Sequence, residues 1–263
     1  MYMNGMKNVA LITGASSGIG KELARIHAQN KGDLILVARR KQLLESIAQE
    51  LKESYQVKIL IIEMDLTESG AIAKLESKIK EQNIRVHFLF NNAGFGGYGE
   101  FINREIAVDL SMIQLNVSAL VELTHAIAKH MIENGGGKIL NTASTAGFIP
   151  GPLQATYFAT KAFVVSFSQA LDQELRRNGV TVTALCPGPV KTEFIDVAGM
   201  SKSKMFNGAK SAYYTANKGY KAMVNQKLIC ISEPSLSILL NYFLWVVPRR
   251  TILKMVEKLQ RIN

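Results

Sequence analysis

The chain has few of the residues that disulfide and metal chemistry require. Of its 263 residues, two are cysteines and four are histidines. Cys186 and Cys230 lie in apolar runs typical of strands and lack the C-x-x-C spacing of metal and redox sites, so we expect two buried, reduced thiols. The histidines share no spacing suited to a metal, and they are His27, His87, His125 and His130. No metal site is predicted.

The sequence also lacks an apolar run long enough to span a bilayer. Met1–Met6 contains no signal-peptide core, and the longest apolar run near the other end, Leu236–Val247, is too short and holds an asparagine. We therefore expect a cytoplasmic protein. Trp245 with its apolar neighbours, followed by Arg249–Arg250, leaves a peripheral membrane contact open beside a subunit interface or a pocket wall.

Dense basic runs are absent too, although the net charge is +10. The basic clusters Arg39–Lys41, Arg176–Arg177 and Arg249–Arg250 are scattered along the chain, which argues against nucleic acid and suits a solvated surface or an anionic cofactor. With 48% hydrophobic and 20% charged residues, the composition is that of a globular protein. We expect one domain, residues 1–263.

What the sequence has is an alternation of short apolar runs with longer segments of helical periodicity. This alternation is typical of βαβ units that form a parallel sheet. The predicted strands are Val9–Thr13, Leu34–Ala38, Lys58–Met64, His87–Phe90, Lys138–Thr142, Val180–Cys186 and Leu228–Ile231. The predicted helices are Ile19–Asn30, Gln42–Tyr55, Ile72–Gln82, Met112–Asn134 and Ala155–Asn178.

This pattern predicts an α/β protein with the doubly wound Rossmann fold, in which helices flank a seven-stranded parallel sheet. Ligands are expected at the carboxyl ends of the strands. After the sixth strand, a polar stretch at about residues 191–220 predicts a substrate flap. An apolar helical segment follows at about residues 235–262.

The first strand runs into a glycine-rich loop, Thr13–Gly20. Its G-x-x-x-G-x-G spacing lets the backbone approach a pyrophosphate at a helix N-terminus. A P-loop is excluded, because Ala15 and Glu22 stand where that motif needs glycine and a hydroxyl. A serine-hydrolase elbow at Ser16 is formally possible but has no histidine after His130 to complete it. Considered by itself, the loop could also be a glycine-rich turn that only joins the strand to the helix.

The end of the second strand bears on the choice of cofactor. Enzymes that use NAD usually place a carboxylate there to bind the ribose 2′-hydroxyl, whereas this chain has Ala38 followed by Arg39 and Arg40. A guanidinium binds phosphate through a planar fork, so Arg39, with Arg40 as a weaker second contact, favours NADP(H). The alternative is that both arginines simply lie in solvent at a helix entry.

Five motifs in register resemble the short-chain dehydrogenase/reductase family over nearly the whole chain. They are the glycine loop, Asp65–Leu66, Asn91–Gly94, Tyr157-x-x-x-Lys161 and Pro187–Gly188. The resemblance implies catalytic roles for Asn116, Ser144, Tyr157 and Lys161. It also implies cofactor contacts at Gly14, Ser16, Ser17, Gly18, Ile19, Gly20, Arg39, Arg40, Asp65, Leu66, Asn92, Ala93, Gly94, Tyr157, Lys161, Pro187, Gly188, Val190 and Thr192.

The catalytic tyrosine has a rival within the chain. Tyr157 and Lys161 are four residues apart on a predicted helix, so their side chains meet on one face, and the ammonium is expected to favour the ionised phenol. Tyr214 and Lys218 have the same spacing, and Ser201 precedes Tyr214 as Ser144 precedes Tyr157. Only the first set follows a strand that ends at the predicted cleft, and we therefore favour Tyr157.

The predicted function is transfer of a hydride between NADP(H) and a carbonyl or alcohol carbon, with tyrosine as the general acid. Apolar residues near the strand ends, and a looser resemblance to long-chain 3-ketoacyl and steroid reductases, favour a lipophilic ketone or aldehyde as substrate. The resemblance also implies a homodimer or homotetramer. A non-catalytic NADPH-binding regulatory protein is the alternative, and the intact set of four catalytic residues argues against it.

Overall fold

A seven-stranded parallel sheet forms the centre of the protein. The computed structural model describes residues 5–200, 208–238, 240 and 247–261. The sheet has the order β3-β2-β1-β4-β5-β6-β9, with every neighbouring pair parallel. Its strands are β1 (Val9–Thr13), β2 (Leu34–Ala38), β3 (Ile59–Glu63), β4 (Val86–Asn91), β5 (Gly137–Thr142), β6 (Val180–Cys186) and β9 (Ile229–Ile231). The expected doubly wound fold is confirmed.

Helices cover both faces of this sheet. The helices in the described part of the chain are α1 (Gly18–Gln29), α2 (Lys41–Tyr55), α3 (Ala71–Glu81), α4 (Ile106–Ile113), α5 (Leu120–Glu133), α6 (Ala155–Leu175), α7 (Phe194–Val197), α8 (Ala212–Val224), α9 (Pro234–Ile238) and α10 (Arg249–Gln260). Two short strands, β7 (Val190–Lys191) and β8 (Lys210–Ser211), pair in parallel beside the sheet. A π-helical turn, Gln114–Ala119, joins α4 to α5.

The core divides into two layers because the strand side chains alternate. In β1, Ala10 and Ile12 pack with α1, α2 and α8, whereas Val9 and Leu11 pack with α3 and α5. All four side chains are fully buried. Strands buried on both faces must be apolar throughout, which explains the Val, Ile and Leu content of the predicted strands.

Two expectations need correction. The helix predicted from Met112 begins six residues earlier, at Ile106, because α4 continues through the π-helical turn into α5. The predicted flap at residues 191–220 is shorter than expected, since residues 212–220 belong to α8, a regular helix that packs against α1 and the sheet. Residues 201–207, 239 and 241–246, including Ser201 and Trp245, lie outside the described residues.

The continuous helix Ile106–Glu133 is, within the described ranges, the one helix long and apolar enough by composition to cross a membrane. Its inner side packs on the sheet through buried Leu123, Ile127 and Met131. Its outer side exposes apolar residues at Ile106 and Leu110. Exposed apolar patches of this kind commonly mark contacts between subunits, and the expected homo-oligomer stays a prediction.

A buried histidine links α1 to α8 against the centre of the sheet. His27 is 1% exposed, its Nε2 lies 2.6 Å from the Asn8 carbonyl oxygen, and its Nδ1 lies 3.1 Å from the Tyr220 hydroxyl. Burial among Phe88, Phe90 and the ring of Tyr220 disfavours the charged imidazolium. The pKa of His27 is lowered from 6.5 to about 4.

This histidine predicts an acid-dependent loss of stability. Between pH 6.5 and 4 the histidine is protonated in the unfolded state but stays neutral in the folded state. The free energy of unfolding should therefore fall as the pH is lowered from 6.5 to 4, by about 3 kcal/mol at most. Above pH 6.5 the contribution is fully present. Urea unfolding at several pH values should show a shallower loss for His27→Gln. A loss as steep as that of the wild type would show that other groups cause it.

Candidate active site

The glycine loop between β1 and α1 is shaped to receive an anion. Gly14 and Gly18 have φ of +64° and +53°, which side-chain-bearing residues rarely adopt. A Cβ on Gly20 would collide with the carbonyl oxygen of Gly14, so the first turn of α1 packs directly on the loop. Ser17, the N-cap residue, makes no side-chain capping bond. The positive end of α1 therefore faces the cavity without a protein anion in its first turn.

The end of β4 is fastened to the end of β1 beside this loop. The Thr13 hydroxyl accepts hydrogen bonds from the backbone amides of Asn92 and Ala93, both at 3.0 Å, and the Asn92 side-chain amide donates to the Thr13 carbonyl at 3.2 Å. At Gly94, a Cβ would lie 2.8 Å from the side-chain oxygen of Asn116 and 3.6 Å from Nζ of Lys161. The backbone can approach the Asn116 oxygen this closely only because this residue is glycine, whereas the distance to Lys161 is that of an ordinary contact.

The two arginines after β2 lie in different surroundings. Arg40 donates to the hydroxyls of Ser16 and Ser17, at 3.1 and 3.0 Å from Nη2, and pairs with Glu193 at 2.8 Å. Arg39 is more exposed and pairs with Asp65 at 3.6 Å. Arg40 is thus the arginine that reaches the glycine loop, whereas the sequence pattern gives Arg39 the larger role. The Arg40 guanidinium also lowers the pKa of Glu193.

Ser144, Tyr157 and Lys161 meet at the carboxyl end of β5. Ser144 follows that strand, and its hydroxyl hydrogen-bonds to the side chain of Tyr157. Lys161 donates from Nζ to the Thr142 carbonyl at 2.8 Å, and Nζ lies 5.8 Å from the centre of the Tyr157 ring. The expected grouping on one face of α6 is therefore present in the structure.

Burial controls the acid–base properties of this group. It raises the pKa of Tyr157 from 10.0 to about 12, against a smaller lowering by the Ser144 hydrogen bond. It lowers the pKa of Lys161 from 10.5 to about 8. In this arrangement the expected lowering of the phenol pKa by Lys161 does not occur, because desolvation dominates and Nζ binds the Thr142 carbonyl. At neutral pH, Tyr157 is a neutral phenol.

Asn116 lies within the π-helical turn that interrupts the helix α4–α5. Its side-chain amide donates to the Phe95 carbonyl at 2.9 Å and to the Thr160 hydroxyl at 3.2 Å, and its side-chain oxygen accepts from the Phe95 amide at 3.1 Å. Asn116 thereby joins the loop after β4 to α6, one residue before Lys161. Single π-helical turns are frequent at functional sites, and the sequence carries no signal for this one.

The loop after β6 completes the cavity. The Pro187 carbonyl accepts from the Ser144 hydroxyl at 3.3 Å and from the Thr145 hydroxyl at 3.1 Å. The Gly188 amide donates to Glu233 at 3.0 Å. Glu233, which no sequence motif indicates, is 7% exposed and holds this loop through its hydrogen bond with Gly188.

The residues with implied cofactor roles converge on one cavity of about 610 Å³. Of the expected set, these line it: Gly14, Ser16, Ser17, Gly18, Ile19, Arg39, Arg40, Asp65, Leu66, Asn92, Ala93, Gly94, Ser144, Tyr157, Lys161, Pro187, Gly188, Val190 and Thr192. Gly20 and Asn116 lie behind its wall, with the contacts given above. A dinucleotide fits this arrangement, because a phosphate-binding loop and the tyrosine group share one space.

The rest of the wall is mainly apolar. Of the apolar residues near the strand ends and in the predicted flap, Phe95, Ile149, Phe194 and Met200 line the cavity, whereas Phe101 is 58% exposed on the surface. The C-terminal elements add residues that the sequence analysis misses: Leu236, Leu240, Val256, Leu259 and Gln260. Gln154, one helical turn before Tyr157, is a further polar residue of the wall that was not predicted.

Neither alternative motif forms a site in the described residues. Tyr214 lies on α8, where its hydroxyl donates to the Ser232 carbonyl at 3.3 Å and its ring lies 5.7 Å from Nζ of Lys218. Neither residue lines the cavity. Ser16 accepts hydrogen bonds from Arg40, and no histidine is found among the described residues that line the cavity, which removes the basis for a serine-hydrolase elbow.

Known proteins share this arrangement of sequence and structure. The family model described as short chain dehydrogenase matches residues 8–202. Sulfoacetaldehyde reductase 2 of Chromohalobacter salexigens is 37% identical over 72% of this chain and 75% of its own length. The human very-long-chain 3-oxoacyl-CoA reductase is 31% identical over 73% of this chain and 62% of its own length, which supports the expected resemblance to ketoacyl reductases.

Two solved structures superpose closely. A short-chain dehydrogenase from Sphingobium yanoikuyae in complex with NADPH has a TM-score of 0.82 and 32% identity, covering 88% of this chain and 90% of its own. The bulky-bulky ketone specific alcohol dehydrogenase from Comamonas testosteroni has a TM-score of 0.75 and 31% identity, covering 86% of each chain. The chain therefore belongs to the short-chain dehydrogenase/reductase family, oxidoreductases that act on alcohols and ketones with a nicotinamide cofactor.

Proposed function

We propose that this chain is an NADPH-dependent reductase of lipophilic ketones or aldehydes. One observation carries the proposal: the neutral phenol of Tyr157, hydrogen-bonded to Ser144 and near Lys161, lines the same cavity as the glycine loop. A proton donor and a dinucleotide site that open on one space are what carbonyl reduction needs.

The cofactor supplies the hydride, and the chain supplies the binding site. The N-terminus of α1 and the glycine loop suit the pyrophosphate, since their amides and dipole favour an anion. Arg40, with the hydroxyls of Ser16 and Ser17, forms a cluster of donors suited to the ribose 2′-phosphate. Ala38 at the end of β2 offers no carboxylate to bind a 2′-hydroxyl. These features support NADP(H) over NAD(H).

Tyr157 acts as the general acid in this proposal. Its phenol, protonated at neutral pH, donates its proton to the carbonyl oxygen as the carbonyl carbon is reduced. The Ser144 hydroxyl turns from the Pro187 carbonyl to bind the same oxygen. Lys161, with a pKa of about 8, is mainly an ammonium at neutral pH and stabilises the phenolate left behind.

Asn116 is assigned to the return of the proton. Its amide is fixed by Phe95 and Thr160, and its oxygen faces Gly94 on the side where Lys161 lies. We assign to Asn116 the placement of a water that reprotonates Tyr157 by way of Lys161. In this assignment the π-helical turn is functional, because it directs the Asn116 side chain towards the protein interior without ending the helix.

The substrate is proposed to be uncharged and lipophilic. The half of the cavity beyond Tyr157 is walled by apolar side chains from α7, α9 and α10. The cationic side chains among the described lining residues are Arg39, Arg40 and Lys161, and all belong to the cofactor half. The ketone-specific alcohol dehydrogenase and the very-long-chain 3-oxoacyl-CoA reductase are therefore better guides to the substrate than the sulfoacetaldehyde reductase.

A regulatory protein that binds NADPH without turnover is the other candidate. It would need the glycine loop and Arg40 but not a buried, hydrogen-bonded phenol. The complete group of Ser144, Tyr157 and Lys161 therefore favours the enzyme.

A titration followed by a turnover assay tests the proposal. Quenching of protein fluorescence should report tighter binding of NADPH than of NADH. NADPH absorbance should then fall when aliphatic or aromatic ketones are added, with higher kcat/KM for longer apolar chains. Turnover of small polar sugars alone would contradict the substrate class. Binding without any turnover would favour the regulatory protein, and no binding of either nucleotide would overturn the proposal as a whole.

A further inference from the structure

The inner face of α10 carries one polar residue among apolar ones. Ile252, Val256 and Gln260 follow at intervals of four and are all buried, so they lie on the same face of the helix. Ile252 and Val256 pack with Ala146 and Phe158. Gln260 is 0% exposed and continues this stripe into the wall of the cavity.

Gln260 is only partly satisfied by the protein. Its side-chain oxygen accepts a hydrogen bond of 2.9 Å from the side-chain amide of Gln154, which is itself 4% exposed. Its side-chain nitrogen, Nε2, is buried and has no hydrogen-bond partner among the residues that the structure describes. A buried donor without an acceptor costs free energy, so an acceptor presented by a ligand in the cavity would be bound there favourably.

The position of this donor relates it to the reacting centre. Gln154 precedes Tyr157 by three residues at the start of α6, and three residues of helix rise about 4.5 Å. Gln154 therefore lies about one helical turn before Tyr157 along the backbone, and Gln154, Gln260 and Tyr157 all line the same cavity. A molecule whose carbonyl oxygen reaches Tyr157 would present a group a few bonds away to Gln260.

We propose that Gln260 Nε2 binds a second, uncharged oxygen of the substrate, so that the enzyme prefers ketones carrying an ester, thioester or amide carbonyl a few bonds from the carbonyl it reduces. This inference rests on the proposed function. A neutral acceptor suits the site because an amide is a neutral donor and no cation lies among the described residues of this half of the cavity. Gln260 is thus a specificity-determining residue.

Matched substrates isolate this contact. Ethyl 3-oxohexanoate, ethyl 4-oxoheptanoate and ethyl 5-oxooctanoate are compared with 4-nonanone, 4-decanone and 4-undecanone, which have the same chain lengths and ketone positions without the ester. For each pair, the ratio of kcat/KM for ester over ketone is measured in the wild type and in two variants. Any difference in intrinsic reactivity cancels, because it is common to all proteins.

The variants separate donation from packing. Gln260→Leu removes the donor, and Gln260→Glu keeps an oxygen for Gln154 while replacing the donor by a second oxygen. In both, the ester-to-ketone ratio should fall by about 3- to 10-fold for at least one spacing, mainly through a higher KM for the ester. A purely structural role would slow both substrates of a pair equally and leave the ratio unchanged.

The outcomes distinguish this inference from the proposed function. If the wild type reduces the ketones but the ratio is the same in all three proteins, the inference is overturned and the proposed function stands. If sulfoacetaldehyde is reduced far better than any of the esters and ketones, the proposed lipophilic substrate class is overturned together with the inference. If NADPH binds and none of the six compounds is reduced, both are overturned. A fall in the ratio in both variants supports the inference.

Discussion

Replacement of Tyr157 by phenylalanine is expected to lower kcat for carbonyl reduction by about 10²- to 10⁴-fold. The variant loses one hydroxyl and keeps the ring that packs against Phe158 and Phe194, so the fold and the cavity should persist. The activity lost is that of the proton donor, because the buried phenol is protonated at neutral pH, and the other described partners of the Ser144 hydroxyl are the Pro187 carbonyl and the Ala146 backbone amide. Single-turnover measurements at saturating NADPH would give the effect directly.

The chain offers a matched control for this substitution. Tyr214→Phe makes the same change in the second Tyr-x-x-x-Lys, on α8, where the hydroxyl binds the Ser232 carbonyl outside the cavity. Its kcat should stay within a few-fold of the wild type. Equal losses in the two variants would mean that Tyr157 acts through stability rather than as an acid. A large loss only in Tyr214→Phe would assign the chemistry to the other set.

The second large effect concerns the cofactor. Arg40→Ala should weaken NADPH binding by about 10- to 100-fold, the usual loss for a charge-assisted hydrogen bond, and should change NADH binding little. Arg39→Ala should cost less than about five-fold, because Arg39 is 75% exposed and pairs with Asp65 at 3.6 Å. Fluorescence titration of both variants with both nucleotides measures all four values.

Glu193 supplies a control in the opposite direction. It holds Arg40 at 2.8 Å in the free protein, so Glu193→Gln should free the guanidinium and strengthen NADPH binding by less than about five-fold, the range of an exposed ion pair. If Arg39→Ala causes the larger loss of NADPH binding, the order given by the sequence pattern is right and the order given by the geometry is wrong. If neither substitution weakens NADPH binding, these arginines do not bind the 2′-phosphate.

The fold could be predicted because its determinants are local and periodic. Continuous Val, Ile and Leu runs such as Val180–Cys186 occur where a strand is covered on both faces, and all seven residues of that strand are buried. The glycines of the first loop could be identified because a positive φ at Gly14 and the close approach at Gly20 leave no other residue type. Motifs made of neighbouring residues thus predicted the parts of the site that a single loop or helix forms.

Contacts between distant parts of the chain were beyond such reasoning. The ranking of Arg39 above Arg40 followed from position, whereas Ser17 and Glu193 decide which guanidinium reaches the loop. Gln260 looks like an ordinary polar residue near the end of a helix, and only its packing against α6 makes it part of the cavity wall. The sequence pattern predicts a flap for residues 212–220, which form part of a helix, because the polar residues of this segment leave only a weak helical periodicity.

The acid–base expectation failed for a related reason. Spacing alone places an ammonium beside the phenol of Tyr157, which in water would lower its pKa. The structure desolvates both groups and gives the ammonium a carbonyl partner at Thr142, so the pKa of Tyr157 rises to about 12. Burial depends on the whole fold, so it cannot be predicted from the spacing of two residues in the sequence.

The ion pair between Arg40 and Glu193 also couples two events that are usually considered separately. Glu193 is the N-cap residue of the short helix α7, whose Phe194 ring lies 5.4 Å from the ring of Tyr157. If a 2′-phosphate and Glu193 compete for one guanidinium, linkage requires that each weakens the other by the same factor. Since NADPH and NADP⁺ carry the same 2′-phosphate, both would weaken the Arg40–Glu193 ion pair equally. The ion pair would then not respond to the oxidation state of the cofactor, and the step that controls product release would involve other residues.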